Sequence, residues 1–201
     1  MKLYPIQCGN FKLDGGAMFG VVPKSLWERT NPADSKNLIE LGTRSLLVED
    51  GKKLILIDCG LGNKQDEKFF GHYSLYGDES LDKNLKKFGF VREDITDVFL
   101  THLHFDHCGG AIEWNDDKTG YRPAFKNAQF WTNENHWQWA TEPNPREKAS
   151  FLSDNILPIQ ESGQLKFIPT QQNVHFHEGI NIRFAYGHTD AMMLPQLQLL
   201  F

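Results

Sequence analysis

Cysteine, long apolar runs and excess positive charge are all scarce in this sequence. The 201 residues include three cysteines, Cys8, Cys59 and Cys108, which are too few for a disulfide framework. No apolar run approaches the length that crosses a bilayer, and the first residues lack the apolar segment of a signal peptide. A net charge of −5 argues against nucleic acid as a partner, because such domains usually carry a basic face. These absences favour a cytoplasmic protein with no membrane partner, although a signal peptide that had been removed would leave the same pattern.

The composition that remains is that of an ordinary globular domain. Hydrophobic residues make up 40% of the chain and charged residues 23%, so a core can be built. No repeat, low-complexity tract or linker rich in Pro, Gly and Ser divides the sequence. Residues 1–201 are therefore interpreted as one domain or as one large part of a longer domain.

Apolar periodicity predicts strands and helices in alternation. Residues 43–48 and 53–58 form two apolar runs around Asp50-Gly51, which is a strong hairpin signal. Residues 14–20 read as a loop broken by glycines. Helices are predicted at 79–88, 133–140 and 146–152, and further strands at 3–11, 95–101, 165–168 and 174–186. The alternation favours an α/β (α+β) fold with helices packed on sheet.

Four side chains that can bind a metal lie within six positions after the predicted strand 95–101. The segment is His102-Leu103-His104-Phe105-Asp106-His107. His102 and His104 are two residues apart, so in an extended segment both side chains point the same way and can hold one ion. Asp106 and His107 follow where the chain turns, towards a neighbouring position. Imidazole and carboxylate ligands suit zinc, and also manganese, iron or cobalt. The alternative is a polar loop with solvated histidines.

This segment resembles the signature of the metallo-β-lactamase superfamily, and two further segments resemble other motifs of that family. One is Leu56-Ile57-Asp58-Cys59-Gly60, and the other is Tyr186-Gly187-His188-Thr189. The resemblance covers the chain from about residue 40 onward. It implies an αββα sandwich with a two-metal site at one edge, of which this chain would hold the N-terminal half.

The resemblance also implies a role for each matching residue. His102, His104 and His188 are expected to bind a first metal ion, and Asp106 and His107 to contribute to a second, with zinc as the expected metal. Asp58 is expected to hold the metal-binding loop by hydrogen bonds. Its alternative is a carboxylate that caps a turn at a strand end. Asp106 is the expected catalytic residue, which orients a metal-bound hydroxide or passes a proton.

The sequence departs from the family pattern after His188. Family members carry a bridging acidic residue and a final histidine farther downstream, whereas Phe201 lies only thirteen residues after His188. We therefore expect a C-terminally incomplete domain, part of a longer gene product. The open alternative is that another chain, as in a homo-oligomer, covers the exposed face. With three ligands at the first position and two at the second, metal is expected to favour the first.

The expected substrate is a small molecule with a lactone or other ester, and N-acyl homoserine lactones are among the candidates. The apolar residues Met18, Phe19 and Trp27 lie in a stretch punctuated by Gly and Pro, and lactonase-like branches of the family border their substrate pocket with a similar loop. The alternative for this loop is that it covers the sheet edge. Alternative functions are a thioester or phosphoester hydrolase, or a non-catalytic metal-binding protein with an incomplete ligand set. His136, on the predicted helix 133–140, is interpreted as structural.

Overall fold

Two β-sheets pack face to face in this chain, and helices cover the other face of the larger sheet. A computed structural model describes residues 1–198. The strands are β1 (Lys2–Asp14), β2 (Leu38–Asp50), β3 (Lys53–Ile57), β4 (Asp97–Phe99), β5 (Ile112–Trp114), β6 (Tyr121–Pro123), β7 (Gln129–Thr132), β8 (Leu165–Phe167), β9 (Val174–His177), β10 (Ile180–Ala185) and β11 (Met192–Leu197). The α-helices are α1 (Gly15–Phe19), α2 (Lys24–Trp27), α3 (Glu67–Gly71), α4 (Leu81–Lys87), α5 (Phe105–Cys108), α6 (Glu134–Thr141) and α7 (Ser153–Glu161). Short 3₁₀ turns lie at Arg92–Asp94, Gly109–Ala111 and Lys148–Ser150.

The larger sheet has six strands in the order β1-β2-β3-β4-β7-β8. The first three strands are antiparallel, and β3, β4, β7 and β8 run parallel. The predicted hairpin is confirmed, because Asp50 pairs with Lys53 and Leu46 with Ile57. Gly51 has a φ of 61°, a conformation that glycine adopts without steric cost in so short a turn. Parallel strands end at a common edge, which is where the motif residues fall.

Side-chain alternation along the strands separates two apolar cores. Ile55, Ile57 and Phe99 face the second sheet, which has the order β11-β10-β9. Leu56 and Val98, one position away, face the helices instead. The helices α4, α6 and α7 supply the apolar residues of that layer, Leu81, Leu85, Trp137, Ala140, Ile156 and Ile159. The mixed α/β architecture expected from the sequence is thus confirmed, and the described residues form three layers: helices, sheet and sheet.

Two of the three predicted helices are confirmed, and the third is wrong. Helices α4 and α6 begin after Ser80 and Asn133, whose side chains accept hydrogen bonds from the backbone N–H three residues on. The helix predicted at 146–152 is a single 3₁₀ turn, because the Asn144 side chain holds the N–H groups of residues 146 and 147. The real helix, α7, starts at Ser153 and includes Pro158, which obscured its pattern.

The glycine-broken loop predicted at 14–20 is also wrong. Residues Gly15–Phe19 form the short helix α1, and the Asp14 side chain caps it by accepting from the Ala17 N–H at 2.9 Å. None of the helices in residues 1–198 combines the length and apolar character that a membrane span requires.

Candidate metal centre

The candidate site lies at the carboxyl-terminal edge of the parallel strands β3, β4 and β7. Asp58 follows β3, His102 and His104 follow β4, and the start of α6 follows β7. The segment that carries His188 precedes β11, and the Met193 N–H donates to the carbonyl of Thr101 at 2.9 Å. Residues far apart in sequence therefore meet at one sheet edge, the place where α/β folds locate their sites.

Three histidines converge at this edge. His102, His104 and His188 each offer a ring nitrogen, and these nitrogens lie within 4.8 Å of one another. His102 and His104 are buried, with 3% and 7% of their surface exposed, whereas His188 is exposed. Nε2 of His102 is buried without a hydrogen-bond partner among the described residues. An unpartnered buried nitrogen is costly in an apolar setting but suits a metal ligand. We call this cluster the three-histidine position.

Burial keeps the rings of His102 and His104 neutral. Burial, reinforced by the neighbouring histidines, lowers the pKa of His102 far below its usual range. Burial, together with His188, lowers the pKa of His104 to about 4. Both rings therefore present a lone pair at neutral pH, which a metal ligand requires.

Asp58 determines the orientation of two motif rings. It accepts from the Thr101 N–H at 2.8 Å and from the Thr101 hydroxyl at 2.8 Å. Because that hydroxyl donates to a carboxylate, it accepts from Nδ1–H of His102, 3.0 Å away. Asp58 also accepts from Nδ1 of His107 at 2.8 Å. Nε2 of both histidines is consequently left with the free lone pair.

Asp58 holds this place in an uncommon backbone conformation. Its φ is 58°, although it is not a glycine, and its N–H donates to the carbonyl of Phe99 at 2.9 Å. The structure thus places Asp58 among the motif residues, where hydrogen bonds can support the loop. Its role in metal binding remains a prediction.

Asp106 and His107 lie together beside the three histidines. Oδ2 of Asp106 is 3.6 Å from Nε2 of His107, and the ring centroids of His107 and His102 are 4.0 Å apart. Burial lowers the pKa of His107, but the hydrogen bond and charge of Asp58 and the charge of Asp106 outweigh it, so the pKa is raised. Asp106 and His107 together offer one carboxylate and one imidazole, and we call this pair the second position.

His136 links two segments of the site, a connection that its sequence context did not show. Its Nε2 accepts from the Leu103 N–H at 2.8 Å, and its Nδ1–H donates to the carbonyl of Asp190 at 2.6 Å. The neighbouring Asn133 donates from Nδ2 to the carbonyl of Ala191 at 2.9 Å. Burial lowers the pKa of His136 to about 4, so the ring stays a neutral acceptor. The sequence predicted a helix here but carried no signal for these contacts.

Glu147 is a second residue that the sequence reasoning missed. Only 8% of it is exposed, and its Oε2 accepts from Nε1 of Trp139 at 3.0 Å and from the Thr189 hydroxyl at 2.9 Å. The same oxygen is 3.8 Å from Nε2 of His104. The sequence placed Glu147 in the helix predicted at 146–152, among polar and charged residues, and no motif distinguished it.

The predicted pocket residues Met18, Phe19 and Trp27 lie on the helices α1 and α2. The rings of Phe19 and Trp27 stack with centroids 5.0 Å apart, and Trp27 is buried against Gly15. Met18 is exposed. Their role in substrate binding remains a prediction.

A different apolar group lies directly at the motif. The ring centroid of Phe105 is 5.4 Å from that of Phe69 and 4.8 Å from that of Tyr73. Burial, and then the charge of Asp106, raises the pKa of Tyr73. We call Phe69, Tyr73 and Phe105 the aromatic wall.

Two buried histidines and one exposed histidine gathered at the end of a parallel strand form a group that can hold a metal ion. Comparison with known proteins shows which family the surrounding fold resembles. Residues 38–118 match the family model of the metallo-beta-lactamase superfamily. A crystal structure of a probable metal-dependent hydrolase from Staphylococcus aureus superimposes with a TM-score of 0.88 at 28% identity, over 99% of this chain and 69% of that one. The chain carries a metallo-beta-lactamase superfamily domain.

More distant structures share the fold. AidC, a dizinc quorum-quenching lactonase solved with the product N-hexanoyl-L-homoserine, has a TM-score of 0.74 at 24% identity, over 98% of this chain and 67% of that one. An N-acyl homoserine lactone hydrolase with the same product has a TM-score of 0.69 at 20% identity, over 98% of this chain and 70% of that one. The transcription termination factor FttA of Methanocaldococcus jannaschii is 33% identical over 70 residues, 35% of this chain. The chain spans only 9% of the length of that curated relative.

Proposed function

We propose that this chain forms the metal-binding part of a metal-dependent hydrolase. The observation that carries the proposal is the three-histidine position, where three ring nitrogens lie within 4.8 Å of one another and Nε2 of His102 is buried without a partner in the described residues. Three imidazoles with an open fourth direction suit catalytic zinc, and manganese, iron or cobalt are the other candidates. Asp106 and His107 are the proposed ligands of a second ion.

The chain's own residues have distinct proposed tasks. Bound metal supplies a Lewis acid and a water of lowered pKa. Asp58 fixes the rings of His102 and His107 through their Nδ1 atoms. Asp106 is partly exposed, with 29% of its side chain accessible, and can therefore meet a substrate and hold a proton beside the three-histidine position.

The proposed substrate is a lactone or another ester of a small molecule. N-acyl homoserine lactones are the first candidates, because AidC shares this fold and holds the ring-opened product of such a lactone. The aromatic wall supports an acyl substituent, since apolar rings beside Asp106 favour a hydrocarbon chain next to the reacting group. Met18, Phe19 and Trp27 remain candidates for a more distant part of the same pocket.

Metal binding and hydrolysis are tested separately. The zinc content of the chain should fall strongly in His102→Ala and stay unchanged in the control His175→Ala, which removes an exposed histidine of β9. Anomalous scattering should show the ion first at the three-histidine position, because three protein ligands hold a metal better than two. An ion on Asp106 and His107 alone would show that the ligands are wrongly assigned.

Activity is measured with a panel of lactones, a thioester and a phosphotriester. In the full-length enzyme, Asp106→Asn should keep the fold and lower lactone turnover by about two to four orders of magnitude, as the loss of an acid/base group does. Turnover of the phosphotriester or thioester alone would replace the lactone proposal. A metal-loaded full-length enzyme that turns over none of them would favour the non-catalytic alternative.

A further inference from the structure

Glu147 is a buried carboxylate without a fixed cation among the described residues. Glu147 lies in the segment that connects α6 to α7, next to the three-histidine position. Its two hydrogen-bond donors, Trp139 and Thr189, are neutral. A buried carboxylate is costly unless it is hydrogen-bonded and its charge is compensated. The side chain that faces it as an ion-pair partner is His104, at 3.8 Å.

His104 has a complementary deficiency. Its Nε2 is buried and has no hydrogen-bond partner in residues 1–198. At 3.8 Å from Oε2 of Glu147, this nitrogen is within ion-pair distance but several tenths of an ångström beyond a hydrogen bond. A small movement of either side chain satisfies both groups at once. Because a carboxylate only accepts, Nε2 of His104 has to carry the proton.

In the other two motif histidines, one ring nitrogen is already hydrogen-bonded to a carboxylate, directly or through a hydroxyl. His102 and His107 each direct Nδ1–H towards Asp58, directly or through Thr101, and keep Nε2 free. Histidine ligands generally pair their second nitrogen with a carboxylate, which sets the tautomer and the ring orientation. For His104 the carboxylate stands on the Nε2 side, so the free lone pair is on Nδ1.

We propose that Glu147 is a positioning residue that accepts Nε2–H of His104 and thereby directs Nδ1 of His104 into the three-histidine position. The inference rests on the proposed metal function. The bond from Thr189 to Glu147 gives the same carboxylate a hold on the segment of His188, so one buried group aligns two ligands. A dication bound to three neutral imidazoles also supplies the positive charge that this carboxylate lacks.

The first test measures zinc affinity by competition with a chelator. Glu147→Gln keeps an oxygen that accepts from Trp139 and Thr189 but removes the charge, and we expect about 10- to 100-fold weaker binding. Glu147→Asp retains the charge and should bind more tightly than Glu147→Gln. The control is Glu142→Gln, an exposed acid of the same connection, with unchanged affinity expected. Thermal melting of the metal-free chain should be alike in wild type and Glu147→Gln.

The second test needs no substitution. Histidine ring ¹⁵N shifts of the zinc-loaded chain should report a protonated Nε2 and a metal-bound Nδ1 for His104. The reverse assignment overturns the inference. So does wild-type affinity in Glu147→Gln, or an affinity loss in it matched by melting of the metal-free fold.

His104→Ala separates the two proposals. If this variant loses zinc while Glu147→Gln binds normally, the role of Glu147 is wrong and the metal function stands. If His104→Ala binds zinc as wild type does, or no histidine shift responds to zinc, the three-histidine position itself fails.

Discussion

Single side chains hold the candidate site together before any ligand is considered. His136 makes two hydrogen bonds to backbone atoms, one beside His102 and one beyond His188, and it is fully buried. We predict that His136→Ala lowers the free energy of unfolding by about 3 kcal/mol, because it leaves the buried Leu103 N–H and the partly buried Asp190 carbonyl unpaired and opens a cavity. Urea unfolding of the metal-free chain measures this loss.

The matched control is the exposed His175, whose replacement by alanine should change stability by less than about 0.5 kcal/mol. Equal losses in the two variants would remove His136 from this role.

Among single residues, the motif residues could be predicted, because metal-binding residue types two positions apart are recognisable in the sequence alone. Glu147 and the contacts of His136 depend on neighbours 33 to 54 residues away, and no local pattern shows them.

The elements of the site are held by close contact between two loops. The turn after β3, residues 59–62, runs against Gly109 and Gly110, which follow α5, and the Gly110 N–H donates to the carbonyl of Gly60 at 2.9 Å. A Cβ on Gly110 would stand 2.1 Å from the carbonyl oxygen of Cys59. Since both partners are backbone, neither can rotate away.

We predict that Gly110→Ala destabilises the chain by at least about 2 kcal/mol and weakens zinc binding. Gly71→Ala is the control, because a Cβ at that helical position meets nothing within 4 Å, and it should be neutral or slightly stabilising. Unfolding curves of both variants provide the comparison, and a Gly110→Ala chain as stable as wild type would contradict the contact.

Among the elements, most strands and two helices could be predicted from the sequence, because burial of one face gives the apolar residues a regular spacing along the chain. No local pattern shows which backbone Gly109 and Gly110 approach, because that backbone lies about 50 positions earlier in the chain. The helix at 146–152 failed because the Asn144 side chain, rather than periodicity, decides the local turn.

The whole molecule should respond to acid through its buried histidines. Burial lowers the pKa of His102, His104 and His136, the last two to about 4, against about 6.5 in an unfolded chain. A lowered folded pKa means that the unfolded state binds more protons. Stability is therefore full above pH 6.5 and falls from there towards pH 4, by about 1.4 kcal/mol per pH unit for each histidine.

The effect of His107 on stability has the opposite sign. Because its pKa is raised in the folded chain, the stability that it contributes is lost as the pH rises through that folded-state pKa. The metal-free chain should therefore be most stable near neutrality. Midpoints of urea unfolding between pH 5 and pH 8 test this. In His136→Ala the number of protons taken up on unfolding at acid pH, read from the slope of stability against pH, should be smaller by about one. A midpoint that does not change below pH 6.5 would show that these rings are not buried as described.

The hydrogen bonds that assemble the site also determine when it can exist. They join residues separated by 33 to 58 positions, such as Leu103 with His136 and Asn133 with Ala191, whereas β2 and β3 meet across a turn of two residues. Distant pairings are slow to form, so the hairpin can exist long before the histidines are gathered. An ion in the folding mixture then finds no assembled set of ligands until the parallel strands are aligned. Metal binding should accordingly slow unfolding and leave the folding rate almost unchanged.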